Sequence, residues 1–224
     1  MDKKKLLISA LTKYLAGLLL TALLLFLPAG SLKYPNGWAF LVLLFYPMLV
    51  MGIVLLRKNP ALLEKRLNAK EREFTQKGVV AVSGLMFLTG FITAGLTFRF
   101  GWLSFPRWTM LPAGLLFLLS YLMYAEVLRE NAYLARTIRV QEGQKVIDTG
   151  LYGIVRHPMY AATVLMFLSV PILLGSVISL LLFLPYPFLI AVRIRNEEKV
   201  LAEGLEGYTD YQKKVRFRLI PYIW

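Results

Sequence analysis

Two stretches of this chain combine residue types that can do chemistry, and both border apolar runs. The first is Arg156-His157-Pro158-Met159-Tyr160. Proline suits the first position of a helix, because its φ is already helical and its missing N–H would have no partner there. A helix beginning at Pro158, with His157 near its N-cap, presents free backbone N–H groups and the positive end of its dipole. With Arg156 beside it, such a start can receive an anionic or polar ligand group. The plainer reading is that Arg156 meets lipid phosphate and His157 merely caps.

The second stretch is Arg193-Ile194-Arg195-Asn196-Glu197-Glu198-Lys199. Arg193 and Glu197 are four apart and share a helix face, which by itself describes an ordinary surface ion pair worth about 0.2–0.5 kcal/mol. The apolar run between the two stretches changes the weighing. If it folds back on itself, Arg156, His157 and Tyr160 approach Arg193, Glu197 and Glu198. Opposite charges gathered at a membrane-embedded cavity form a default functional-site hypothesis.

The elements that position these groups are read from hydropathy. Apolar blocks run Leu6–Leu27, Trp38–Leu56, Val79–Phe98, Trp108–Leu128 and Met159–Val192. The first four suit single membrane helices of ~20 residues. The fifth would be ~50 Å long as one helix, against a hydrocarbon core of ~30 Å. Gly175-Ser176 lies at its middle, so a tight hairpin is expected, with Pro171, Pro185 and Pro187 kinking its arms. The expected fold is therefore an all-α integral membrane protein of about six transmembrane helices, the last two a hairpin over 158–200. Residues 1–128 form an N-terminal membrane region, and 129–224 a cytosol-facing catalytic region. An interfacial amphipathic connection is expected over 57–77, where Leu62, Leu63 and Leu67 alternate with charges. Lys3-Lys4-Lys5 before an apolar run resembles a secretion signal. The run to Leu27 is too long for one and is interrupted by Lys13, so a retained first helix is expected.

Charge placement orients this arrangement. With six spans, Lys33, Arg99 and Arg107 stand on one side and Lys13 within the first span, while the rest of the 26 Lys and Arg share the other side. The positive-inside rule then puts both termini and the active region in the cytosol. The membrane would be the plasma membrane in a prokaryote and the endoplasmic reticulum in a eukaryote. Tyr34, Trp38, Trp102 and Trp108 fall at the outer span ends, where amphipathic rings prefer to sit. Gly90 and Ala94 have the spacing of close helix packing.

Composition excludes other classes. The net charge of +13 follows the span boundaries, which points to lipid headgroups and away from nucleic acid. With no cysteine and one histidine, neither thiolate chemistry nor a multi-histidine metal site is available, and no metal is expected. No feature calls for an obligate protein partner.

In order along the chain, "GLYGIVRHPMY", an apolar hairpin, "RIRNEE", "GYTDY" and "RFRLIP" resemble the isoprenylcysteine carboxyl methyltransferase and phospholipid methyltransferase superfamily. The resemblance covers roughly Gly150 to the C-terminus. It implies S-adenosylmethionine as methyl donor and a lipophilic small molecule or lipid, carboxylate or amine, as acceptor. By motif position it implies cofactor contacts from Gly150, Tyr152, His157, Pro158, Tyr160, Glu197 and Glu198, and catalytic roles for Arg193, Glu197 and Arg156. Ala162 stands where the family often has glycine, and its methyl is expected to narrow the approach of hairpin to cofactor.

Two other functions compete. A sterol-reductase-like oxidoreductase would share the C-terminal pattern but bind NADPH. The short chain and the Glu197-Glu198 pair favour the methyltransferase. A transporter or assembly factor would need charges inside spans or corresponding halves. Lys13 and Glu126 are the nearest to such charges, and both lie near span ends.

Overall fold

The computed structural model describes residues 2–67, 74–135, 137–138 and 140–224. Its helices are α1 (Lys3–Ala29), α2 (Pro35–Lys58), α3 (Pro60–Leu67), α4 (Phe74–Phe100), α5 (Met110–Glu130), α6 (Pro158–Leu173), α7 (Val177–Phe183), α8 (Tyr186–Gly204) and α9 (Tyr208–Lys214). Among the described residues the strand-like pairing is a single isolated bridge between Ser104 and Ser176.

The protein is an integral membrane protein. Five helical stretches, α1, α2, α4, α5 and the α7–α8 arm, are long and apolar enough to cross a bilayer, and α6 is a shorter apolar helix. About six spans were expected, the last two the arms of a hairpin; α6 has 16 residues, or ~24 Å at ~1.5 Å per residue. Leu11, Leu15, Leu19 and Leu20 of α1 face outward, as lipid-facing positions should and as a water-exposed surface would not tolerate.

Local sequence explains the element ends. Gly30, in the left-handed region at φ 63°, closes α1. Asn59 and Pro60 begin α3, with Asn59 Oδ1 accepting the Leu62 N–H at 3.1 Å. Within 57–77, where an amphipathic connection was expected, α2 runs to Lys58, α3 follows with Leu62 and Leu63 buried, and α4 begins at Phe74. Its middle, residues 68–73, lies outside the described residues, as do the cationic positions Arg136 and Arg139.

Gly175, at φ 81°, turns the chain after α6, and Ser176 Oγ caps α7 by accepting the Ser179 N–H. A turn in an apolar setting must satisfy its own polar groups. Here the loop before α5 supplies partners: Phe105 N–H donates to Gly175 O and Val177 N–H donates to Leu103 O, both at 3.1 Å. Tyr34 Oη donates to Leu174 O at 2.7 Å, and Asn36 Nδ2 donates to Leu173 O at 2.8 Å. Tyr34 is 1% exposed, so it does not sit in the interfacial belt expected for it; it reaches inward because the turn needs a donor. Trp38, Trp102 and Trp108 remain exposed.

Gly90 lets α7 lie directly on α4: a Cβ there would come within 2.3 Å of the Phe183 ring, and Ser179 Oγ donates to Gly90 O. The main core joins residues from the whole chain, among them Leu25, Phe40, Phe117, Tyr160, Phe183 and Ile194. This core sets α8 alongside α6 and so brings the two reactive stretches together.

Candidate active site

Tyr160, in the first turn of α6, faces α8. Its hydroxyl donates to Glu197 Oε2 at 2.5 Å and accepts from Arg193 Nε at 2.9 Å. The guanidinium of Arg193 lies 5.9 Å from the Tyr160 ring centre. Arg193 and Glu197, which as helix neighbours i and i+4 could be an incidental surface pair, are thus joined through one phenol. Tyr160 is 5% exposed, while Arg193 and Glu197 are half-buried, so the phenol end of these hydrogen bonds is shielded from water.

Glu198, one residue on, does something different. It is 5% exposed and gathers two guanidinium groups and an imidazole. Arg156 Nε donates to its Oε1 at 2.7 Å, His157 Nε2 lies 3.2 Å from the same oxygen, and Arg218 Nε donates to Oε2 at 2.8 Å. Arg156 Nη1 also donates to the carbonyls of Val215 and Arg216. The backbone N–H groups of Arg156 and His157 donate to Phe217 O and Arg218 O, both at 2.9 Å. The start of α6 is therefore covered by the tail after α9. His157 is the N-cap residue but makes no side-chain cap, and Arg156 is buried, away from any lipid phosphate.

A cavity of about 90 Å³ opens beside this cluster. Its wall includes Tyr152, Arg156, His157, Met159, Tyr160 and Glu197 from the expected set or next to it. Asn131, Leu134 and Ala135 contribute from the segment after α5, Gln144, Lys145 and Val146 from the following loop, and Leu201, Leu205, Tyr208 and Tyr211 from α8 and beyond. Glu197 is the one carboxylate in the wall among the described residues. Glu198, Arg193, Gly150 and Pro158 are not part of the wall. Ala162 is fully buried and is also absent from it, so its methyl does not narrow the cavity as expected.

The wall is held by tyrosines. Asn131 Nδ2 donates to Tyr152 Oη at 2.9 Å, and Tyr211 Oη donates to Tyr152 O at 2.7 Å. Burial pushes the hydroxyls of Tyr152, Tyr208 and Tyr211 well above the ordinary tyrosine range, so all three stay protonated as donors. Tyr208 is 4% exposed and its hydroxyl has no partner among the described residues. A buried hydroxyl left unpaired costs about 1–3 kcal/mol, which a ligand group in the cavity would recover. Gly150, at φ 50°, begins the turn carrying Tyr152, and a Cβ there would strike the Glu130 carboxylate at 2.0 Å. Its contribution is to the turn that carries Tyr152.

Tyr208, Asn131 and Arg218 were not singled out by residue type. "GYTDY" places Tyr208 and Tyr211 on one face of α9, a signal that was present. Asn131 follows α5 with no pattern around it.

Residues 112–203 match the Isoprenylcysteine carboxyl methyltransferase (ICMT) family. Over 91 residues, 39% of this chain and 22% of the relative, the sequence is 31% identical to Delta(14)-sterol reductase TM7SF2 of Mus musculus. Over 74 residues, 33% of this chain and 44% of the relative, it is 35% identical to uncharacterized protein YpbQ of Bacillus subtilis (strain 168). The chain thus matches less than half the length of either protein.

Proposed function

We propose, from the match of residues 112–203 to the isoprenylcysteine carboxyl methyltransferase family, that this chain transfers a methyl group from S-adenosylmethionine to a lipophilic acceptor, carboxylate or amine, reached from the bilayer. The observation that carries the reading is the Arg193–Tyr160–Glu197 relay, which joins a membrane helix pair to a cavity containing an unpaired donor.

Bound S-adenosylmethionine supplies a methyl group already activated by its sulfonium. The residues present fit a cofactor of that kind. Tyr208 offers its free hydroxyl, Asn131 and Gln144 offer amides, and Leu134, Val146 and Leu201 offer apolar contact. Glu197 and the tyrosine rings favour a positive centre by charge and by cation–π contact. The wall orients the reactants, and a ligand that fills the cavity displaces water from it. A carboxylate acceptor would be oriented by Arg193 through a charge-assisted hydrogen bond and would need no base. An amine acceptor would deliver its proton to Glu197. Glu198 and Arg156 hold the tail over the start of α6, and Gly150 and Pro158 shape the backbone around His157 and Tyr152. Charge distribution favours a cytosolic cavity with both termini on that side.

The similarity to Delta(14)-sterol reductase favours a second reading, an NADPH-dependent membrane oxidoreductase. Calorimetric titration of the detergent-purified chain with S-adenosylhomocysteine and, separately, with NADPH separates the two. Saturable S-adenosylhomocysteine binding that is lost in Glu197→Ala is expected. Binding of NADPH alone would transfer the assignment to the reductase.

A further inference from the structure

We propose that Arg66 is a positioning residue for the cavity and that α3 is the strap that shapes its wall. Arg66 lies 46 residues before the family match begins at 112, yet its side chain spans three elements around the site. One guanidinium nitrogen donates to Tyr124 Oη on α5, and the guanidinium lies 5.5 Å from that ring centre. Nη1 reaches Ala135 O at 3.3 Å and Met159 Sδ at 3.8 Å. Ala135 and Met159 both belong to the cavity wall. Holding a phenol, a carbonyl and a thioether together needs the several donors of a planar fork.

The rest of α3 is tied down to the same purpose. Leu62 and Leu63 are buried in a cluster with Leu128, Leu134 and Tyr152, the last two again wall residues. Lys65 Nζ donates to Ala132 O at 3.4 Å. The carbonyls at the end of a helix have no partner within it. Lys13, from inside α1, donates its Nζ to Leu67 O at 2.6 Å, which fastens that end. The lysine that interrupts the first apolar run therefore holds the strap. The segment after α5 lies outside any helix; α3 supplies contacts that its own backbone lacks.

The consequence for the cofactor rests on the methyltransferase reading, whereas the strap itself does not. The test uses the full chain in detergent, titrated with S-adenosylhomocysteine, with amide hydrogen exchange followed across 131–135. Arg66→Ala should weaken binding about tenfold by removing preorganisation, and should speed exchange across 131–135 while leaving α6 unchanged. Arg66→Lys should restore neither, because one ammonium cannot span the partners. Tyr124→Phe should weaken binding less, and the double variant should be no weaker than Arg66→Ala alone, as expected of one interaction. Arg57→Ala, on an exposed position of α2, serves as the charge control and should match the wild type.

Binding and exchange in Arg66→Ala equal to the wild type would overturn the proposal, and full restoration by lysine would overturn the fork. If Arg66→Ala does not fold, an unchanged Tyr124→Phe overturns it instead. If the wild type binds no S-adenosylhomocysteine, the methyltransferase reading fails. Exchange across 131–135 then still decides the strap, accelerated in support and unchanged against it.

Discussion

Glu197 and Glu198 are adjacent and chemically identical, yet replacing each by glutamine should have opposite consequences. Glu198→Gln keeps the shape but removes a buried negative charge that compensates Arg156 and Arg218. Arg156 is 7% exposed, so little of its charge is solvated by water. Breaking a buried charge pair by removing one partner costs about 3–5 kcal/mol. Glutamine retains one acceptor oxygen, so the lower end, about 3 kcal/mol, applies. Its NH2 would also face a guanidinium donor at 2.7 or 2.8 Å, depending on rotamer. Glu197→Gln loses the charge that receives the Tyr160 hydroxyl, one hydrogen bond at the cavity edge, worth about 1 kcal/mol. Denaturant unfolding in a fixed detergent measures the first quantity, and S-adenosylhomocysteine titration measures function. Glu198→Gln should be clearly destabilised. Glu197→Gln should be nearly as stable as the wild type but impaired in binding. Equal stabilities, or a larger loss in Glu197→Gln, would refute the division of labour.

Two further outcomes follow from single atoms. Tyr208→Phe removes a buried hydroxyl that has no protein partner, so the ligand-free protein should be unchanged or more stable by about 1 kcal/mol, while S-adenosylhomocysteine binds more weakly; melting curves with and without ligand check both. Gly95→Ala would place a methyl 2.4 Å from Leu25 O and 3.0 Å from Ala29 N, backbone atoms of α1 that cannot swing aside. It should cost about 1–3 kcal/mol in unfolding experiments, whereas Gly84→Ala, with nothing within 4 Å, should not destabilise.

The sequence by itself determined what is local or imposed by the bilayer. Long apolar runs have to become helices in lipid, because no other element satisfies its backbone internally. Pro158 at the start of α6, Gly175 at the turn and Gly90 as a position of close helix packing could be read from residue type and spacing, though not that Phe183 lies on Gly90. The approach of Tyr160 to Arg193 and Glu197 also followed, once the long run was folded back. What periodicity could not supply is which way each polar side chain turns once helices from distant parts of the chain meet. Glu197 and Glu198 lie ~100° apart around α8, and only the tail, arriving with Arg218, commits the second of them to structure. Tyr34 turned inward because a carbonyl 140 positions away required a donor. Arg156 was taken up by Glu198 and two tail carbonyls. Arg66 and Lys13 read as surface or boundary charges until α3 was placed against the cavity wall. Hydropathy and spacing act over a few residues, whereas the pairing of buried polar groups is decided across the whole chain, where each unpaired donor or acceptor carries a cost.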